Sequence, residues 1–307
     1  MADTIPISSP KTAAQRQNRM VGIALMCAAL FCFSCLDATA KWVNSSVDPM
    51  ITVWARYISA AFLTFLVINP RTQPGALRTR RLPLQLLRSF LLFASTLCNF
   101  FALKYLQLVE TQSIIFATPL LVALLAGPLL GERIGWQRMT AIAVGFIGIL
   151  VITRPGSGTM HPAALLSLAG SVSYAFYNIV TRMLASSDSI ATTTLYSSVA
   201  GIVFVTPVLP WVWTTPSSPL VWFLLATTGF YGAFGHWLLV LAHARAPAAI
   251  LAPFIYSQIV WMLVLGYVLF GDWPDSWTFV GAGIVIASGL YLLYRERVKH
   301  RKPEPSS

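Results

Sequence analysis

Ten long apolar stretches divide the chain, and short polar segments separate them. Most hold about 20 residues, enough for a helix that rises 1.5 Å per residue to cross about 30 Å of hydrocarbon. No segment between them exceeds about 16 residues, which leaves no room for a soluble domain. The pattern predicts an all-α membrane protein with ten transmembrane helices. They are expected at about 20–43, 49–69, 85–106, 110–130, 136–153, 161–184, 190–210, 219–241, 246–270 and 276–294.

The apolar pattern repeats after about 140 residues. Segments 102–154 and 242–296 each hold two apolar spans around a tight turn, which begins at Gly131 in the first copy and at Gly271 in the second. Because each repeat has an odd number of helices, five, the second copy must be inverted in the membrane. The predicted divisions are a tail at 1–19, repeats at 20–154 and 155–296, and a basic tail at 297–307.

Composition agrees with a membrane location. Hydrophobic residues make up 56 % of the chain and charged residues only 10 %, whereas soluble domains carry about 25 % charged residues. The net charge of +11 would suggest a nucleic-acid partner in a soluble protein. Here the basic residues follow the ends of the apolar spans, so the lipid bilayer is the expected partner and nucleic acid is not.

The basic residues also predict the orientation. With a cytoplasmic N-terminus, seventeen Lys and Arg fall on inner segments, three (Lys41, Lys104 and Arg154) fall at outer edges, and Arg56 lies within a span. Positive residues accumulate on the cytoplasmic side of membrane proteins. We therefore expect a multi-pass protein of the bacterial-type inner membrane with both termini in the cytoplasm.

Inverted repeats about an axis in the membrane plane are typical of secondary transporters. The segments GERIGWQRMTAIAVGFIGILVI and FGDWPDSWTFVGAGIVIASGLYLLY, together with LAPFIYSQIVW, resemble the EamA-type drug/metabolite transporter superfamily over about residues 20–296. The resemblance implies a ten-helix bundle whose central cavity is formed mainly by helices one to four and six to nine. One departure is Ile259, which stands where many members carry a proline, whereas Pro119 keeps that proline in the fourth helix.

Ionisable residues within the spans are the first candidates for the transport path. Each costs about 2.5–3.5 kcal/mol to insert, so it needs a partner or a wet cavity. Asp37 and Arg56 lie at similar depth from the outer side, which predicts an ion pair near an outer gate. Lys41 either gates or extends its amine to the interface. Glu110 and His236 are further candidates for gating or for coupling to protons.

Aromatic and amide side chains complete the predicted path. Aromatic faces stack on planar rings, and amides bind the polar edges of such rings. The alternative, that these aromatic residues only pack, stays open. The candidates are Asn99, Gln112, Tyr174, Tyr177, Asn178, Trp237, Tyr256 and Gln258.

The chain shows no enzyme or pump motif. No GxxxxGK[ST] loop is present, nor HExxH or GxSxG, and the four cysteines lie within apolar spans without disulfide or metal spacing. No cofactor or metal is therefore expected, and transport must draw on gradients. An intramembrane enzyme that uses Asp37 and His236, or a channel, is a remote alternative. Whether the chain forms a homodimer is left open.

The expected substrate is a small polar or heteroaromatic metabolite, moved by alternating access. The subgroup that the chain resembles includes carriers for riboflavin and for S-adenosylmethionine, and both are flat heteroaromatic compounds with a polar tail. The resemblance and the predicted path favour uptake of a vitamin such as riboflavin. Export of amino acids or related metabolites is the alternative, since exporters of that kind also occur in the superfamily.

The orientation is open to a direct test. A topology reporter fused after His300 should be active on the cytoplasmic side, and one inserted at Ser157 should be active on the outer side. An outer signal from the His300 fusion would contradict the ten-helix arrangement.

Overall fold

The computed structural model describes residues 10–301 except 69–74, 76, 132–134, 157, 159 and 186. Within these ranges the regular elements are helices, and nine spans are long and apolar enough to cross a membrane. A tenth, shorter apolar helix completes the expected set. We name the spans α1 Pro10–Val43, α2 Pro49–Val67, α3 Leu82–Leu103, α4 Leu108–Leu130, α5 Trp136–Thr153, α6 Ala163–Leu184, α7 Ile190–Val205, α8 Pro219–Arg245, α9 Ala248–Phe270 and α10 Ser276–Arg301.

Several helix ends differ from the prediction. The helices α1 and α10 continue beyond their apolar stretches, because polar helix formers such as Gln, Lys and Arg extend a helix outside the hydrocarbon. In contrast, α7 ends at Val205, five residues before the expected end. Pro207 follows, and its ring nitrogen cannot donate the next helical hydrogen bond, to the carbonyl of Val203. A separate short turn, Leu209–Val212, covers the rest of that apolar stretch.

The helices α4 and α9 are interrupted, although the sequence predicted one continuous helix for each. In α4 the break at Phe116 separates Leu108–Ile115 from Ala117–Leu130. In α9 a 3-10 segment, Ala252–Ser257, replaces regular helix. Prolines account for both breaks: Pro119 lies three residues after Phe116, and Pro253 lies within the 3-10 segment, and neither ring nitrogen can donate a helical hydrogen bond.

Helix pairing follows the internal repeat. Each helix of the first repeat is equivalent to the helix five places later in the second. The contact of α1 with α8 is therefore equivalent to that of α6 with α3, and both are present. The helices α2 and α7 are equivalent and contact each other, as do α5 and α10. The α5–α10 contact is antiparallel, since Ser288 donates to the carbonyl of Ala141 and Arg295 donates to Gln137. Equivalent helices that run in opposite directions are what an inverted repeat requires. The packing therefore agrees with two inverted halves.

The buried core lies between the two halves. One cluster surrounds Ile51, Phe100 and Met262, and another surrounds Ile114 and Val285, so both combine helices from the two repeats. Large apolar side chains on the outer faces stay exposed, as a lipid-facing surface requires. The two repeats therefore share their buried core.

Close packing of α5 on α10 depends on glycine. A Cβ atom added at Gly148 would lie 2.8 Å from the Val285 side chain and 2.9 Å from the backbone carbonyl oxygen of Gly281, both on α10. Gly148→Ala should therefore destabilise the protein by about 1–3 kcal/mol, measured by thermal unfolding in nanodiscs. Gly283→Ala is the matched control, because a Cβ there meets nothing within 4 Å. Equal effects of the two substitutions would contradict this account.

Candidate functional site

Asp37 and Asn99 join α1 to α3. Asn99 Nδ2 donates to Asp37 Oδ1 over 3.0 Å, and Asp37 is buried. An ionised carboxylate can accept several hydrogen bonds, and the described residues supply this one from a neutral amide. The carboxylate is therefore held in place with capacity left for a cationic donor.

Arg56 lies on the neighbouring helix α2 and has a similar arrangement. Its Nη1 donates to Thr96 Oγ1 over 2.6 Å, and its guanidinium lies 5.5 Å from the ring centre of Phe100 and 5.6 Å from that of Tyr57. Thr96 and Asn99 are one turn apart on α3, so Arg56 and Asp37 are held at one level of the bundle.

The predicted ion pair between Asp37 and Arg56 is not formed. Each charged group binds a neutral partner on α3, and neither contacts the other within ion-pair distance among the described residues. Depth along two helices could be read from the sequence, but the rotation of each helix and the side chains of a third helix could not. The consequence is two opposite charges at one level of the bundle that do not touch each other.

Tyr174 and Tyr177 provide an aromatic surface on α6. Their rings are 5.4 Å apart and only 12° from parallel, and the three-residue spacing places them on one face. Tyr177 accepts a hydrogen bond from Arg88 on α3. Asn178 instead donates to the carbonyl of Tyr174 in its own helix, which uses part of its amide.

Arg88 is a buried residue of this region that the sequence did not single out, because its charge lies near a helix end. It is 5 % exposed and donates to the Tyr177 hydroxyl, the Thr181 hydroxyl, the Thr193 carbonyl and the Ser197 hydroxyl. These contacts join α3 to α6 and α7. The signal was present in the run QLLRS, where polar residues three and four positions apart share one helix face.

His236 and Trp237 are adjacent on α8 but face different surroundings. The His236 ring meets Phe33 of α1 edge to face, with ring centres 5.0 Å apart, although His236 itself is exposed. Trp237 is 55 % exposed and follows the exposed Phe223 and Phe230 at seven-residue spacing, which is the lipid-facing stripe of α8. The structure therefore places Trp237 away from the predicted path.

A second group of path candidates lies at the breaks of α4 and α9. Gln112 Nε2 donates to Gln258 Oε1 over 3.4 Å, a long hydrogen bond between the two helices. The ring of Tyr256 meets that of Phe116 edge to face at 4.9 Å. Phe116 and Tyr256 pack in a different buried cluster from Phe100 and Tyr57.

The remaining charged candidates lie at the end of the bundle predicted to face outward. Lys41 Nζ donates to the carbonyl of Leu106 over 2.7 Å and lies 3.4 Å from Asp272 in the α9–α10 turn. Glu110, in the first turn of α4, is half-buried. Lys41 thus connects the end of α1 to two loops, α3–α4 and α9–α10, instead of extending freely into the interface.

A second ion pair closes the same end. Arg154, after α5, pairs with Asp275, before α10. Partial burial raises the pKa of Asp275, but hydrogen bonds from Thr278 and the charge of Arg154 outweigh it and lower the pKa overall. Asp275 therefore stays charged at neutral pH.

The chain matches known transporters along most of its length. The model of the EamA-like transporter family matches residues 20–154 and again residues 161–295. The S-adenosylmethionine uptake transporter of Rickettsia prowazekii is 28 % identical over 90 % of this chain and 93 % of its own length. The riboflavin transporter of Vibrio cholerae is 26 % identical over 94 % of this chain and 97 % of its own length. A solved crystal structure at 15 % identity covers 92 % of this chain and 99 % of its own with a TM-score of 0.63, which supports the fold.

The contacts of Lys41 predict unequal effects of two substitutions. Asp272→Asn removes only a partly exposed ion pair and should cost less than about 1 kcal/mol of unfolding free energy. Lys41→Met also deprives the Leu106 carbonyl of its donor, so it should cost about 2 kcal/mol. Thermal unfolding of both variants and of the double variant measures the coupling. If Asp272→Asn costs as much as Lys41→Met, the Leu106 contact contributes nothing.

Proposed function

Because this chain belongs to the EamA-like transporter family, we propose that it carries a zwitterionic heteroaromatic metabolite of the S-adenosylmethionine class across the inner membrane. It is a small-molecule transporter and not an enzyme. The substrate class and the mechanism below are the proposal.

The observation that carries the proposal is the unpaired Asp37 and Arg56 at one level of the path. An amino-acid group presents an ammonium and a carboxylate side by side. Asp37, held by Asn99, suits the ammonium, and Arg56, held by Thr96, suits the carboxylate. Asp37 is buried and Arg56 partly buried, and two such charges without direct contact are costly unless a ligand with both charges binds them.

The aromatic surface supplies the second recognition element. Tyr174 and Tyr177 stack on each other on α6, the partner helix of α3, and the Arg88 guanidinium lies 4.6 Å from the centre of the Tyr177 ring. A planar heteroaromatic ring stacks on such faces and gains about 0.5–1.5 kcal/mol beyond its burial. A nucleoside joined to an amino acid has a ring that can stack on the tyrosines, and it has the two charges that Asp37 and Arg56 would bind.

Transport would proceed by alternating access driven by gradients. The contacts of Lys41 with Leu106 and Asp272, together with the Arg154–Asp275 pair, close the end that we expect to face outward. In this proposal both termini lie in the cytoplasm, and these contacts break when the outer end opens. Asp37, Glu110 and His236 are the groups that we propose for coupling to protons.

Riboflavin uptake, which the sequence favoured, is the second candidate. The stacked tyrosines suit its ring system, and the Vibrio cholerae relative carries that name. Riboflavin is neutral, however, and it would leave Asp37 and Arg56 without charged partners. We therefore place it after the zwitterionic substrate.

Uptake into proteoliposomes tests the proposal. Labelled S-adenosylmethionine should accumulate saturably, and Asp37→Asn should raise KM at least about tenfold, since one lost charge contact is worth about 1.4 kcal/mol. Trp237→Ala, on the lipid face, is the control and should change KM less than about twofold.

Three other outcomes have distinct meanings. Saturable riboflavin uptake without S-adenosylmethionine uptake would favour the second candidate. Export from loaded vesicles without uptake would favour the exporter alternative. Saturable S-adenosylmethionine uptake that Asp37→Asn leaves unchanged would refute the role of Asp37.

A further inference from the structure

The first turns of α3 carry three buried polar residues that the substrate path above does not use together. Gln85, Arg88 and Ser89 are three and four positions apart, so they share one face of the helix. Under the predicted orientation this face lies in the cytoplasmic half of the membrane. Asn99, which donates to Asp37, lies eleven residues after Arg88 on α3, or about 16 Å further along the helix at 1.5 Å per residue.

Two of the three residues have hydrogen-bonding groups without partners. Gln85 is 0 % exposed, and neither its Oε1 nor its Nε2 has a partner in the described structure. Ser89 is 2 % exposed, and its hydroxyl likewise has none. Buried polar groups are almost always hydrogen-bonded, because water cannot compensate them inside a protein. Three such atoms on one helix face indicate a binding site for a polar group.

Arg88 gives the site its charge. It donates hydrogen bonds to three hydroxyls and a backbone carbonyl, and its guanidinium lies 4.6 Å from the centre of the Tyr177 ring. These groups are all neutral, and no carboxylate contacts Arg88 within the described ranges. The Nη2 atom carries two N–H groups, and one of them binds Tyr177. A guanidinium that lacks an anion in an apolar bundle favours a negatively charged ligand.

We propose that Gln85, Arg88 and Ser89 form a carboxylate-binding subsite, a second station on the cytoplasmic side of Asp37 and Arg56. The spare Nη2–H of Arg88, the Gln85 amide and the Ser89 hydroxyl supply donors for two carboxylate oxygens. The carboxylate comes from the transported metabolite after it leaves Arg56, or from a free carboxylate in the cytoplasm. The first source rests on the proposed function, whereas the subsite itself rests on these three residues.

Acetate is the probe for the subsite. The midpoint of thermal unfolding of the full chain in nanodiscs is measured against sodium acetate at constant ionic strength, balanced with sodium chloride. Acetate should raise the midpoint of the wild type by several degrees and leave Gln85→Leu and Ser89→Ala unchanged. Without acetate, Gln85→Leu should be at least as stable as the wild type, because it removes a buried amide that has no partner.

Ser198→Ala is the matched control. Ser198 is buried on the facing helix α7, and its hydroxyl donates to Leu195 in the same helix, so the variant should respond to acetate as the wild type does. A wild type that acetate does not stabilise, or a Gln85→Leu protein that acetate still stabilises, would overturn the subsite.

Uptake separates the two sources of the carboxylate. If the metabolite supplies it, Gln85→Leu should lower the maximal rate of S-adenosylmethionine uptake at least about fivefold with KM within about twofold, because the outer station is intact. An unchanged rate together with the acetate effect assigns the subsite to a free carboxylate. Acetate stabilisation that depends on Gln85, without any S-adenosylmethionine uptake, upholds the subsite and refutes the proposed substrate.

Discussion

A charged side chain among apolar helices needs a hydrogen-bonding partner, and the kind of partner decides whether the charge stays available to a ligand. Asp37, Arg56 and Arg88 each bind neutral groups of another helix: Asn99, Thr96, and the hydroxyls of α6 and α7. A neutral hydrogen bond fixes the side chain without cancelling its charge. Oppositely charged pairs are found instead at one end of the bundle, where Lys41 meets Asp272 and Arg154 meets Asp275. Neutral contacts thus line the interior, and ion pairs close the end.

The helix α3 organises the interior contacts. Gln85, Arg88, Ser89, Thr96 and Asn99 recur at spacings close to multiples of 3.6 residues, so they form one polar stripe along its length. Because α3 packs on α6 and also contacts α1, α2 and α7, this stripe reaches partners from both repeats. A substrate that moves along α3 would therefore meet charged groups at two levels, with Tyr174 and Tyr177 on the facing helix.

The sequence predicted what depends on length and period and missed what depends on rotation. Hydrocarbon thickness requires spans of about 20 residues, so ten helices could be read from hydropathy, and the 140-residue repeat predicted two equivalent halves. Hydropathy averages over all faces of a helix, however. It could not predict that His236 contacts Phe33 while Trp237 lies on the exposed face of α8. Nor could it predict that Arg88, near a helix end, is buried. The hydrogen-bond partners of Asp37 and Arg56, Asn99 and Thr96, lie on a third helix, α3, and the sequences of α1 and α2 do not indicate them.

The breaks in α4 and α9 explain how one site could serve two sides of a membrane. Phe116 and Tyr256 are 140 residues apart, they stand at equivalent positions of the two repeats, and their rings are in contact. A Cβ at Gly289 would collide with the Tyr256 hydroxyl, so the position of this ring depends on a glycine of α10. Since the repeats are inverted, a bend at one break moves one end of the bundle and the same bend at the other break moves the opposite end. Exchange of conformation between the two breaks would therefore suit the alternating access that we propose.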